Sequence, residues 1–163
     1  MSESALASTA MKEQASADHE WERFIGDLAA CLADVLEDEF LVITSKRGNY
    51  YIQFAAQGKF GMRAEATSNA YLEPAKAVLS SEMGQLGWRL PTQAPNSGPD
   101  PDGSPNFFVD LPSHGDFGSL AELAVNTFRR VYRIYHPGQL QYKSFSSTGT
   151  QIRFPTLRIK RKE

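Results

Sequence analysis

Apolar and polar residues alternate twice across one turn between Asn49 and Leu72, NYYIQFAAQGKFGMRAEATSNAYL. Alternation with a period of two is the mark of a strand with one buried face, so the segment predicts two adjacent antiparallel strands. Tyr50, Ile52 and Phe54 share a face of the first, which runs from Tyr50 to Ala55. Phe60, Met62, Ala64 and Ala66 share a face of the second, Phe60 to Thr67, and the pattern stops at Ser68-Asn69. Gln57-Gly58-Lys59 joins the two as a hairpin. Phe40 to Ser45 (FLVITS) is β-branched and apolar on both alternating sets, which predicts an interior strand with Lys46-Arg47-Gly48-Asn49 as its turn. Together the three make a meander.

Helical periodicity brackets this meander. Trp21, Phe24, Ile25, Leu28, Cys31, Leu32, Val35 and Leu36 recur at steps of three and four, a single apolar stripe. Asp18 is placed to cap that helix, and Glu20 and Glu22 suit its positive end. A second helix is expected from Pro74 to Leu86, with Gly87 as a left-handed cap and Trp88 folding back on the last turn. A third carries Phe117, Leu120, Leu123, Ala124, Phe128, Val131 and Tyr135 on one stripe. Ser119 and Glu122 have capping-box spacing at its start, and His136-Pro137-Gly138 ends it. Thr92 to Pro105, rich in Pro, Gly, Asn and Asp, is a loop. Asn106 to Leu111 reads as a short strand with Phe107 and Val109 on one face, and Leu140 to Phe145 as a closing strand or an extended arm. This order predicts an α+β fold: an antiparallel sheet, the meander plus one or two further strands, flanked by three helices.

Of the 163 residues, 1–17 are small and polar and are expected to form a disordered leader. Residues 18–145 suffice for a single α+β domain with its own core, and 146–163 form a basic extension. A formal net charge of −2 gives no push toward nucleic acid or anionic membrane. One cysteine excludes an intrachain disulfide and fits a reducing compartment. No apolar run approaches the ~20 residues that span a bilayer, and the first residues lack the basic start and apolar stretch of a secretory signal. The expectation is a soluble, cytoplasmic protein with no membrane insertion.

The chain offers little for catalysis. His19, His114, His136 and Cys31 lack the i,i+4 or C-x-x-C spacing of a zinc site, so no metal is expected. Cys31 lies on the apolar stripe, where it acts as a small hydrophobe. Ser113-His114-Gly115-Asp116 contains the residue types of a catalytic triad, but consecutive residues cannot take up its geometry. The glycines of Ala56 to Gly61 sit between strands and do not open a phosphate-binding helix. Asp100 and Asp102 lack the downstream Glu of a calcium loop. No cofactor and no enzymatic activity are expected. A dispersed catalytic site that used His114 or Asp116, with the long loop as a lid, is the residual alternative.

The polar face of the central hairpin carries Tyr51, Gln53, Arg63 and Glu65. One reading makes Arg63 and Glu65 an exposed ion pair of small energetic value. The other makes the four a recognition surface, since Tyr and Arg are the residues on which interfaces concentrate binding energy. The tail interleaves Arg153, Arg158, Lys160, Arg161 and Lys162 with Ile152, Phe154, Leu157 and Ile159. Basic residues with apolar neighbours suit nucleic acid, acidic lipid or an acidic partner, but a terminal basic run of this kind is expected to be a solvated, flexible end. Nucleic acid is disfavoured as its partner, because no basic face elsewhere would cooperate.

A family resemblance runs through Tyr51-x-Gln53-Phe54, Arg63-Ala64-Glu65-Ala66-x-Ser68-Asn69-x-Tyr71-Leu72, Leu86-Gly87-Trp88 and Asn106-Phe107. It continues through Leu123-Ala124, Phe128, Tyr132, His136-Pro137 and Leu140-x-Tyr142. In this order the residues resemble the TY-Chap domain, a group of bacterial proteins similar to type III secretion chaperones and to the YbjN proteins. The resemblance covers roughly Asp18 to Tyr142. It implies a cytoplasmic, bacterial, often actinobacterial protein that binds a peptide or protein client and catalyses nothing. It also leaves room for a homodimer or a homo-oligomeric adaptor. With helices on the Tyr50, Ile52 and Phe54 side, the opposite face is expected to present Tyr51, Gln53, Arg63 and Glu65, joined by Leu41, Ile43 and Phe108. A client is expected to lie across this face or to add a strand at a free sheet edge.

Overall fold

The predicted strands assemble into one sheet in the computed structural model, which describes residues 3–47, 49–67, 79–92, 104–112 and 115–162. Its strands are β1 (Glu39–Ser45), β2 (Tyr51–Ala56), β3 (Met62–Ala66), β4 (Phe107–Leu111), β5 (Leu140–Ser146) and β6 (Lys160–Arg161). Their order in the sheet is β4-β3-β2-β1-β5-β6. Neighbours are antiparallel except β5 and β6, which run parallel. β1 lies inside, between β2 and β5, as its two-sided apolar composition requires. The strand beyond the predicted number is β6, which comes from the basic tail.

The second strand of the hairpin begins at Met62, not at Phe60. Phe60 belongs to a 3-10 turn, Gly58–Phe60, that links β2 to β3. Gly61 follows at φ +94°, and a Cβ there would stand 1.9 Å from the carbonyl oxygen of Leu111. Glycine is therefore what lets the start of β3 close on the end of β4.

Three helices are described: α1 (Glu3–Asp34), α2 (Leu79–Leu86) and α3 (Phe117–Asn126). In α1 the stripe buries Trp21, Phe24, Leu28, Cys31 and Leu32, as its spacing predicts. The helix begins at Glu3, however, and segment 3–17, expected to be disordered, is helical. Residues 3–16 are exposed, so no apolar stripe announces them, whereas Ala and Glu are strong helix formers. Asp18 is consequently an interior residue of α1 and not its cap. It accepts from Gln14 Nε2 at 3.0 Å and pairs with Arg129, and these contacts hold its carboxyl below the usual range. Leu36, assigned to the stripe, lies past the helix end and is exposed.

The predicted start of the second helix, Pro74 to Val78, lies outside the described residues, as does most of the Thr92 to Pro105 loop. The end of α2 follows expectation. Gly87 has φ +116°, and Trp88 N donates to Met83 O at 3.1 Å. α3 is capped by Asp116, whose side chain accepts from Gly118 N, in place of the expected Ser119–Glu122 box. Ser119 Oγ instead donates to Asp116 Oδ2 at 2.9 Å. The helix then widens into one π turn, Thr127–Val131, so Tyr135 leaves the stripe and is exposed.

The core lies between the helices and one sheet face. It joins Trp21 and Leu28 of α1, Met83 of α2 and Leu120 of α3 to Leu41, Ile43, Ile52, Phe54, Ala64 and Phe107. Leu41 and Ile43 thus sit on the covered face, opposite Phe54 and Ile52 in register, and not on the open face where they were expected. The tail reaches the same core: Phe154 and Leu157 are buried in it, and Phe154 N donates to the Tyr142 hydroxyl at 3.1 Å. Among the described residues, no helix is long and apolar enough to cross a membrane.

Candidate functional site

The other sheet face takes no part in that core. The buried side chains of all three helices belong to the cluster on the Leu41–Ile43 side. Strand register arranges the opposite face in rows. One runs Phe145, Phe40, Ala55, Arg63, Asp110 across five strands. The next runs Lys143, Val42, Gln53, Glu65, Phe108. A shorter third row sets Thr44 between Gln141 and Tyr51. Apart from Lys143 and Asp110, which are exposed, and Phe108, which is buried, these side chains are half-buried. At the β1–β5 end the face sets Phe40, Val42 and Phe145 beside Lys143, and at the β3–β4 end it sets Arg63, Glu65 and Asp110 beside Phe108.

Tyr51, Gln53, Arg63, Glu65 and Phe108 are all on this one face. Arg63 is not paired with Glu65. Its Nε donates to Asp110 Oδ1 at 2.7 Å and its Nη2 to Asp110 Oδ2 at 3.0 Å, a two-point bond across β3 and β4. Residues two apart on a strand stand farther from each other than directly opposed neighbours, which is why the cross-strand partner prevails. Glu65 accepts from Ser104 Oγ, and Tyr51 donates from its hydroxyl to Asn106 Oδ1 at 3.4 Å. Phe108 lies between two guanidinium groups, Arg63 at 4.8 Å and Arg89 at 5.1 Å from its ring centre. The charged end is therefore held in fixed geometry before anything binds.

Phe40, Val42, Ala55, Phe145 and Lys143 also belong to the face, and the sequence reading did not assign them to it. Their signal was present. Phe40, Val42 and Thr44 alternate with Leu41 and Ile43, and Gln141, Lys143 and Phe145 alternate with Leu140 and Tyr142. In β1 both alternating sets are apolar, so only the register with β2 says which one faces the helices.

Both sheet edges carry backbone partners. β5 is lined by the tail: β6 pairs with Gln141 and Tyr142, and Ile152 N donates to Ser144 O at 3.0 Å. Strand addition at β5 would thus have to displace this segment. At the other edge, Arg89 bridges Phe108 through two backbone hydrogen bonds, 2.9 and 3.1 Å.

Among the described residues, the other candidate reactive groups do not converge. Burial, with Asp27 and Asp34 adding to it, pushes the Cys31 thiol up to about 11, which keeps it protonated. His136 Nδ1 accepts from Gly138 N at 2.8 Å and so serves a turn. Ser113 and His114 lie outside the described residues. Among the described residues, no group of three or more His, Cys, Asp or Glu is placed to hold a metal ion.

Residues 14–146 match the family model TY-Chap3, described as T3SS (YopN, CesT) and YbjN peptide-binding chaperone 3. No curated protein and no solved structure matches the chain. The match takes in most of the chain, including five of the six strands and all three helices but for the start of α1. The chain belongs to this family.

Proposed function

We propose that this member of the TY-Chap3 family holds an extended segment of a client polypeptide against the open face of its sheet, and that it does so without catalysis. The observation that carries this reading is the pair of five-residue rows, which join an aromatic end to a charged end on a face outside the core. Strands stand about 4.8 Å apart, so a row of five spans roughly 20 Å, the reach of about six extended residues. Phe40, Phe145 and Val42 offer contact area for apolar side chains. Gln53 offers an amide to the backbone of a bound segment, which needs partners for its own N–H and C=O groups. Tyr51, Arg63, Glu65 and Phe108 set the polar end of the site.

The test is peptide-array binding followed by fluorescence anisotropy on the hits. Two double variants are compared with the wild type: Tyr51→Ala with Arg63→Ala, and Phe40→Ala with Phe145→Ala. Affinity is expected to fall about tenfold or more in each, which is the loss of roughly 1.4 kcal/mol of binding. Unchanged affinity in both folded variants would overturn the site. A homodimer built on the same face is a separate outcome. It would appear in light scattering as a mass that doubles with concentration and is lost in the Phe40/Phe145 variant.

A further inference from the structure

We infer that a cationic cleft beside Phe145 selects client segments carrying acidic side chains. The inference rests on the client-binding reading above and names the chemistry of the client. The cleft has a volume of about 320 Å³. Lys143 and Phe145 line it from β5, and Gly149, Gln151, Arg161 and Lys162 from the chain beyond. Among the described residues, neither Asp nor Glu lines it.

Among the described residues, no carboxylate pairs with its cations. The ion pairs among the described residues join Arg63 to Asp110, Arg129 to Asp18 and Arg158 to Asp27, and none involves Lys143, Arg161 or Lys162. Arg161 donates to the neutral Gln151 side chain, which orients the guanidinium and leaves its charge uncompensated. The Lys143 ammonium lies 5.7 Å from the centre of the Phe145 ring.

These cations stand on a fixed frame. Arg161 pairs with Tyr142 in the β5–β6 ladder, and Lys162 N donates to Tyr142 O at 2.6 Å. Buried Phe154 and Leu157 anchor the segment that leads to them. Because Phe145 also stacks on Phe40, the cleft continues the aromatic end of the open face. A segment that places an apolar residue on the Phe40–Phe145 pair thereby brings a neighbouring carboxylate to the cations. The matched family residues end at 146, so the far wall of the cleft lies outside the matched segment.

A polypeptide fits better than a nucleic acid. The chain is acidic overall, with a net charge of −2, and the face beyond the cleft carries Glu65 and Asp110. A polyphosphate backbone needs a continued basic stripe, which that face does not offer.

The experiment uses the full chain and two labelled, unstructured peptides with identical Phe and Leu positions. One carries Asp and Glu at the remaining sites, and the other carries Asn and Gln there. The wild type is expected to bind the acidic peptide about tenfold more tightly at low salt, the scale of a few partly exposed charge contacts. The preference should shrink as salt shortens the Debye length to about 8 Å. It should largely vanish in Lys143→Gln/Arg161→Gln/Lys162→Gln. Lys143→Gln alone, at an exposed β5 position, should lower it without touching the tail. Equal binding of both peptides by the wild type overturns the inference and leaves the client-binding reading intact. If neither binds, both fall. If an oligonucleotide of equal charge displaces the acidic peptide at lower concentration, the cleft is a polyanion site and the assignment to acidic clients is overturned.

Discussion

Phe40 and Phe145 stack across β1 and β5 on the sheet face opposite the core, with ring centroids 5.4 Å apart and planes inclined by 27°. Their strands are directly opposed at this point, so the two rings form one apolar platform. Neither ring belongs to the core, although each is only partly exposed. The pair therefore separates stability from binding. Phe40→Ala is expected to lower stability by about 1 kcal/mol for the lost ring contact, in addition to the apolar area the ring buries. Urea denaturation of Phe40→Ala beside peptide titration measures the two effects independently. A large loss of stability with unchanged binding would return the pair to a structural role.

Trp88 Nε1 donates to Thr127 Oγ1 at 2.8 Å, deep between the end of α2 and the π turn after α3. Thr127→Val keeps the shape and removes the acceptor, which leaves a buried indole N–H unpaired. The expected cost is about 1–3 kcal/mol. Thr127→Ser, which keeps the hydroxyl, should recover most of it. The midpoints of urea unfolding for the two variants decide the matter, and equal midpoints would show that the bond is dispensable.

Asp116 caps α3, and its carboxyl is held below the ordinary range by hydrogen bonds from the Ser119 side chain and from the backbone N–H groups of Ser119 and Gly118. The folded value is thus lower than the unfolded one, near 3.9, and between the two the unfolded chain binds more protons. The stabilisation from this cap is complete above the unfolded value and is lost as pH falls through the folded one. Asp116→Asn retains a capping acceptor but cannot titrate. The melting temperature of the wild type should therefore approach that of Asp116→Asn as the solution is acidified below about pH 4. A constant gap between the two down to strong acid would contradict the assignment.

Leu157 is 1% exposed and belongs to the core that α1 and the sheet share. Leu157→Ala should cost about 2–5 kcal/mol, the range for a buried leucine. It should also speed tryptic cleavage at Arg158 and Lys160, which docking of β6 is expected to slow in the wild type. A variant as stable and as resistant as the wild type would show that the tail is a loose appendage.

Much of the fold was legible because periodicity is a local property. The alternation from Tyr50 to Ala66 set the covered face of β2 and most of that of β3, and the three-four spacing from Trp21 to Leu32 set the stripe of α1. The first half of α1 was not legible. Exposed helix shows no stripe, and its Ala and Glu residues serve a helix and a solvated coil equally well in a pattern that registers only burial.

By itself, then, the sequence determined that a half-buried antiparallel sheet exists, and that Tyr51, Gln53, Arg63 and Glu65 point away from its core. Those outcomes depend only on the order of residues along one strand. Tertiary structure alone decided which apolar set of β1 turns to the helices, that Arg63 bonds to Asp110 and leaves Glu65 to Ser104, and that the basic tail docks as β6. Each of these depends on which distant segment arrives alongside and in what register. A one-residue change of register reverses every side chain, and no spacing within a single segment records it.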